Sequence, residues 1–226
     1  MSLHVFPQIE QRSDAWYDQR RGMVTASAVG QLVTPGTLKV ASNDVSRSLT
    51  MLLVAERITG FTEPTFINSD MWRGIEDEPR AVETYAEHYG VEVTTTGFMV
   101  NDDSGYSLGY SPDGLVDDDG LLEVKCPRAK GHLATILADR VPPQHVAQCQ
   151  AGLLVSGREW IDFISFCGGM PMFVKRMTPD PKWQTAILAA LEQFELTAAE
   201  MVATYTERTA GLPVPERLTN SDEIWT

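Results

Sequence analysis

Residues 107–126 constrain the fold of this chain more than any other stretch. An apolar run from Ser107 to Tyr110 breaks at Ser111-Pro112-Asp113-Gly114, passes a turn-rich stretch ending Asp117-Asp118-Asp119-Gly120, and resumes as Leu121-Leu122-Glu123-Val124-Lys125-Cys126. Short apolar runs separated by clustered Pro, Asp and Gly are strand and turn signals. In the second strand the period of two sends Leu122, Val124 and Cys126 to one face and Glu123 and Lys125 to the other. A hairpin between the two strands returns Glu123 toward Asp113, so that Asp113, Glu123 and Lys125 share one small volume.

That trio suits phosphodiester hydrolysis, in which a water must be deprotonated, delivered in line, and the growing charge on the phosphate neutralised. Two carboxylates can hold one or two Mg²⁺ ions, with the Val124 carbonyl as a further ligand. Lys125 can orient or deprotonate the water, or stabilise the transition state. An isolated Asp…Glu-x-Lys also describes a surface ion pair, so the rest of the chain has to decide. Glu78 follows Gly74 by four residues at an expected helix start, within reach of the same metals. His145 and Gln148 lie three apart on one helix face, where Gln148 can hydrogen-bond the water or a phosphate oxygen. Gln150, on another side, reads as a solvated glutamine. The segment from Trp16 to Ser27 offers Arg20 and a serine near a helix N-terminus, both suited to a phosphate.

Composition narrows the class. The chain has 226 residues, 31 acidic against 18 basic, for a formal charge of -13. Its 43% apolar content and short apolar runs argue for a soluble, single α/β domain with no membrane span. The N-terminus shows no secretory signal, which makes the cytoplasm the default. Three cysteines without Cys/His spacing argue against a disulfide frame, a structural zinc or an iron–sulfur cluster. The acidity at first argues against a nucleic-acid partner. It is localised, however: residues 71–125 hold 13 acidic and 3 basic residues, while the segments on either side are nearly neutral. Asp102, Asp103, Glu83, Glu87 and Glu92 read as a solvated face, and Asp117-Asp118-Asp119-Gly120 as a hairpin turn rather than a calcium loop, since the alternating ligands and terminal glutamate are missing.

Caps and periodicity predict helices over 25–33, 43–58, 78–89, 142–155 and 181–208, and strands over 91–95, 97–100, 107–110, 121–126, 160–167 and 172–177. The four strands from 91 to 126 read as an antiparallel meander. The stripe Trp183, Ile187, Leu191, Phe194, Ala198, Met201 and Tyr205 on the last helix reads as core. The tail after Gly211, with Pro213 and Pro215, is expected to be extended or mobile.

In order, the motifs are tryptophan…Arg-x-Gly-x-x-Thr-Ala-Ser (Trp16 to Ser27), Gly-x-x-x-Glu (Gly74 to Glu78), Ser-Pro-Asp-Gly (Ser111 to Gly114), Leu-Glu-Val-Lys-Cys-Pro (Leu122 to Pro127) and Gln-x-Gln (Gln148 to Gln150). This series resembles the phage-lambda exonuclease family of viral alkaline-exonuclease-like recombinases, within the PD-(D/E)xK nuclease superfamily, and covers about residues 12–208. The resemblance implies a restriction-endonuclease-like core, a mixed central sheet flanked by helices. It implies a 5′-to-3′ exonuclease that degrades one strand of linear duplex DNA from phosphorylated ends, with Mg²⁺ or a substituting Mn²⁺. It also implies a homotrimeric ring, a single-strand annealing partner, and a phage or prophage gene acting in a bacterial cytoplasm. By the same resemblance Asp113 and Glu123 serve the metals, Lys125 catalysis, Glu78 is the supporting acid and Gln148 stands on the nucleophile side. Arg20, Ser27 and Ser111 surround the 5′-phosphate, and Met71 stands where the family has an apolar strand-separating wedge. The nearest basic residues after Pro127, Arg128 and Lys130, are out of register with the family's further DNA-contacting arginine. Two alternatives share the motifs: an endonuclease of the same superfamily, and an inactive DNA-end-binding adaptor, which the intact trio disfavours.

Overall fold

The structure is a computed structural model that describes residues 2–64, 68–103 and 105–217. Its centre is the hairpin of β8 (Gly114–Val116) and β9 (Gly120–Lys125), with Gly114 opposite Leu122 and Val116 opposite Gly120. Asp117 takes the left-handed turn position at φ 47. Arg158 Nη1 braces the turn, donating to the carbonyls of Asp117 at 3.0 Å and Gly120 at 2.7 Å. Only glycine fits at 120, because a Cβ there would stand 2.1 Å from the Trp160 ring.

This hairpin belongs to a five-stranded mixed sheet of order β11-β10-β9-β8-β5, with β5 at Val93–Thr94, β10 at Trp160–Ser165 and β11 at Phe173–Met177. β9 and β10 run parallel, placing Phe163 opposite Glu123; the other pairings are antiparallel. A parallel pair needs a crossover, supplied by α5 (Ala129–Ala138) and α6 (Pro143–Ser156).

The expected meander is corrected. β6 (Phe98–Asp103) and β7 (Tyr106–Tyr110) form a second sheet with β1 (Ser2–Phe6) and β2 (Val24–Thr25), in the order β1-β6-β7-β2. The chain changes sheets at Ser111-Pro112-Asp113, where Pro112 has no N–H to continue a ladder. The expected helix over 25–33 shrinks to α2 (Ala26–Val29), and Val33–Thr34 (β3) pairs with Lys39–Val40 (β4).

Two of the remaining helices keep their expected places. α3 (Asp44–Thr59) starts on an Asn43–Ser46 capping box and stops at left-handed Gly60. α7 (Pro181–Thr209) buries Ile187, Leu191, Phe194 and Ala198, while Tyr205 at the end of the stripe is exposed. The helix expected at 78–89 is instead α4 (Ser69–Tyr89), because the Asn68 side chain caps it earlier, accepting from the amides of Asp70 and Met71 at 3.0 Å. Pro79 lies inside it and leaves the Ile75 carbonyl without its helical partner. Glu78 therefore sits in mid-helix and not at a helix start.

The five-stranded sheet is covered on both faces. Leu121, Ile161 and Phe163 pack with α2, α3, α6 and α7, while Leu122, Val124 and Ile164 pack under Ala81 and Tyr85 of α4. Each such fully buried apolar side chain contributes about 1.5–3 kcal/mol. A carboxylate on β9 is thereby fixed between two cores. No described helix is long and apolar enough to cross a membrane, and Cys126, Cys149 and Cys167 are all free. Residues 211–217 have no regular structure, and the rest of the expected tail lies outside the described residues.

Candidate active site

Strand β9 presents Glu123 and Lys125 on its α6-facing side. Glu123 is fully buried; its Oε1 pairs with Lys125 Nζ, and the Tyr110 hydroxyl lies 3.5 Å from Oε2. Pairing with β8 ends at Gly114–Leu122, and Asp113 fills the free edge beyond. Its amide donates to the Leu122 carbonyl at 3.3 Å, and its Oδ2 accepts from the Val124 amide at 2.6 Å. The N–H and C=O of a strand residue point to the same edge, so the Val124 carbonyl also faces Asp113. Glu78 and Asp113 line one groove, a cavity of about 530 Å³ on the α4 side.

The electrostatics bind these groups into one unit. Burial first, then the Asp113 charge, push Glu78 up to about 7 against the pull of Arg12 and Lys125. Burial likewise pushes Glu123 up to about 7, opposed by Lys125 and reinforced by Asp113 and Glu78. Asp113 is raised by burial, with Lys125, the Val124 amide and Arg12 opposing. Burial works against the charge on Lys125, but Glu123 and Asp113 outweigh it and hold the side chain as an ammonium. Among the described residues no three His, Cys, Asp or Glu side chains converge as a closed ligand set. Glu123 is turned toward Lys125, and Asp113 toward the Val124 amide.

A second constellation adjoins the first. The Trp16 indole N–H, on α1 (Asp14–Arg20), donates to Ser111 Oγ at 2.8 Å. The Arg20 guanidinium lies 3.7 Å over the Trp16 ring, reaches Thr25 Oγ1 at 3.4 Å, and Thr25 Oγ1 lies 3.2 Å from Ser27 Oγ. Burial lowers the Arg20 pKa, partly offset by Tyr17 and Glu56. Arg20, Ser27 and Met71 line one cavity of about 400 Å³, together with Arg12, Trp16 and Arg21. Ser111 does not line it but is tied to it through Trp16. Arg21 is paired with Asp18, whereas Arg20 has no carboxylate within ion-pairing distance among the described residues. The turn that aims Arg20 requires glycine: Gly22 has φ 66, and a Cβ would stand 2.4 Å from Arg57 Cγ. The Gly22 amide donates to Glu56 Oε2 at 2.8 Å, and Arg57 Nε donates to its carbonyl at 2.6 Å.

Met71 is 43% exposed, so it stands at the cavity rim and not in the core. Arg128 is taken by Asp70, Nε to Oδ1 at 2.7 Å. On α6, His145 stacks on Phe163 at 5.5 Å, and burial with the Lys125 charge pushes its pKa down to about 4. Gln148, one turn on, is half-buried and makes no side-chain hydrogen bond to a described residue, the acid cluster included. The reading of Gln150 as solvated is corrected. It is 1% exposed, donates to the Thr178 carbonyl at 2.9 Å and accepts from the Asp180 amide at 2.8 Å, so its amide group is spent on the start of α7. In the sequence Trp16 is legible only as a motif letter and Thr25 as a motif letter and helix cap, while Arg12, which pairs with Glu78 at 3.6 Å, carries no signal.

Residues 15–159 match the YqaJ-like viral recombinase domain. An alkaline exonuclease from Laribacter hongkongensis is 30% identical, with a TM-score of 0.79 over 89% of this chain and 100% of that one. The same enzyme in complex with dAMP superposes with a TM-score of 0.77. A phage-related exonuclease from Haemophilus somnus 129PT, 13% identical, shares the fold over 79% of this chain and 96% of its own, with a TM-score of 0.59. No curated protein matches the chain. The mixed sheet flanked by helices is thus the restriction-endonuclease-like α/β fold of the alkaline exonucleases, and the chain belongs to the YqaJ-like viral recombinase family.

Proposed function

We propose that the protein is a Mg²⁺-dependent 5′-to-3′ exonuclease. It degrades one strand of linear duplex DNA from 5′-phosphorylated ends, releases mononucleotides and leaves a 3′ single strand for recombination by annealing. The observation that carries this reading is the junction of the two constellations: Ser111, tied through Trp16 to the arginine-lined cavity, lies two residues from Asp113. A terminal phosphate held beside Arg20 puts the first internal phosphodiester against the acid cluster. An enzyme that cuts within duplex has no need of such a pocket.

The acid cluster fits a divalent cation. Asp113 raises Glu78 and Glu123, and Glu78 raises Glu123, so these carboxylates feel one another across one volume that Lys125 and Arg12 only partly offset, and Mg²⁺ takes one or two carboxylates while keeping several waters. Asp113 and Glu123, with the Val124 carbonyl and Glu78 in support, would hold it. Bound Mg²⁺, or Mn²⁺ in its place, supplies Lewis acidity and a water of lowered pKa. Lys125 orients or deprotonates the attacking water, or offsets charge on the phosphate oxygens. Arg20 with Ser27 and Ser111 reads the 5′-phosphate by charge-assisted hydrogen bonds and not by base edges. Gln148 reaches the nucleophile side when substrate fills the gap, and Met71 at the rim wedges the strands apart. Family membership supports a homotrimeric ring and a single-strand annealing partner. With Mg²⁺, the purified protein should reduce 5′-phosphorylated linear duplex to mononucleotides and one strand, spare covalently closed circles, and stop on chelation. Efficient cutting of closed circles would favour the endonuclease instead.

A further inference from the structure

Arg12 stands on the wall between the two cavities. It lines the one that holds Arg20 and Ser27, and it pairs at 3.6 Å with Glu78, which lines the other with Asp113. We propose that Arg12 is a substrate-binding residue that leaves Glu78 when DNA loads and takes the phosphodiester next to the terminal phosphate. This rests on the nuclease reading above.

Three observations carry it. The guanidinium is under-used: its side chain is 40% exposed and its ion pair is long, and it donates no hydrogen bond among the described residues. A planar fork of five N–H donors suited to a phosphate is therefore held only by a long ion pair. The backbone at Arg12 is in the left-handed region at φ 70, where a non-glycine residue is strained and persists only when its surroundings fix it, a pattern that clusters at functional sites. Those surroundings belong to the site. Gln11 Nε2 donates to the Pro112 carbonyl at 3.3 Å, beside Asp113, and Ser13 caps α1, accepting from the Trp16 amide at 3.3 Å. Arg12 is thus held in register with both the Ser-Pro-Asp-Gly turn and the Trp16–Arg20 stack. A cation bound by Glu78 and Asp113 would weaken the hold of Glu78 on Arg12, and the incoming phosphate is then the nearest anion without a partner.

Arg12→Gly removes the side chain and relieves the left-handed strain, so loss of folding does not confound the test. End-binding affinity is measured for duplexes with 5′-phosphate or 5′-hydroxyl ends, in Ca²⁺ to hold off cleavage, over a range of salt. Arg12→Gly should weaken binding about tenfold on both ends alike and reduce the salt slope by about one; Arg12→Lys should fall between it and the wild type. Arg20→Ala, by contrast, should lose affinity on the phosphorylated end alone. Unchanged affinity and slope in Arg12→Gly would reduce Arg12 to a counter-ion of Glu78, and a loss confined to phosphorylated ends would place it in the terminal pocket; either overturns the proposal. A wild-type protein that does not favour ends over closed circles sinks the exonuclease reading itself, an outcome separate from both.

Discussion

Lys125 shows how one residue's chemistry is set by its neighbours. Alone on a strand it would be a surface lysine; between Glu123 and Asp113 its ammonium is stabilised although burial opposes the charge. A lysine beside two metal-holding carboxylates contributes by acting on the water or by charge neutralisation, effects worth roughly 100-fold or more in rate when one donor is removed. Lys125→Ala should therefore abolish turnover by at least that factor while DNA ends still bind, as read by gel shift beside a nuclease assay. Full activity would remove Lys125 from the mechanism. Asp113, Glu123 and Lys125 were legible as neighbours although the expected hairpin of 107–110 with 121–126 is replaced by β8 with β9, because the turn after Ser111 and strand alternation bring them together either way. Arg12 was not, since an exposed arginine carries no periodic or capping signal and its meaning comes from a left-handed φ and a partner 66 positions away.

At the scale of elements, what could be read depended on whether an element marks its own ends. α3 has a capping box and a left-handed glycine stop, and the expected bounds agree with it to within a residue. α4 was cut short because Pro79 looks like a first-turn proline, when the true cap is Asn68. α5 went unseen because its buried residues are His132 and Thr135, while Leu133 and Leu137 are exposed, which inverts the usual apolar pattern. The change of sheet after Tyr110 was also invisible, since two consecutive strands read the same whether they pair or part. Gln150 illustrates a junction between elements: one buried amide group satisfies Thr178 and Asp180 and so sets where α7 begins. Gln150→Leu should lower stability by about 1–3 kcal/mol, the cost of leaving buried polar groups unpaired, seen as a lower midpoint in urea. An unchanged midpoint would mean that water replaces the amide.

For the whole molecule the question is how a chain of charge -13 handles DNA. Glu83, Glu87, Glu92 and Asp102 are exposed, although Glu83 also lines the groove of Glu78 and Asp113; the side chain of Asp103 lies outside the described residues. Arg12, Arg20 and Arg21 all line one cavity. The net charge is therefore divided between exposed carboxylates and the acid cluster, away from the arginine-lined cavity, and a cation bound at the acid cluster would cancel part of it. An acidic exterior discourages adsorption along duplex, and under the proposed function basic lining and bound metal would coincide only at an end. The identity of the first product tests this most directly. With a duplex labelled on its 5′-phosphate and Mg²⁺ present, the label should appear from the earliest time as mononucleotide. Label released first in longer oligonucleotides would contradict the account, because cleavage would then begin away from the end that the arginine-lined cavity is proposed to hold.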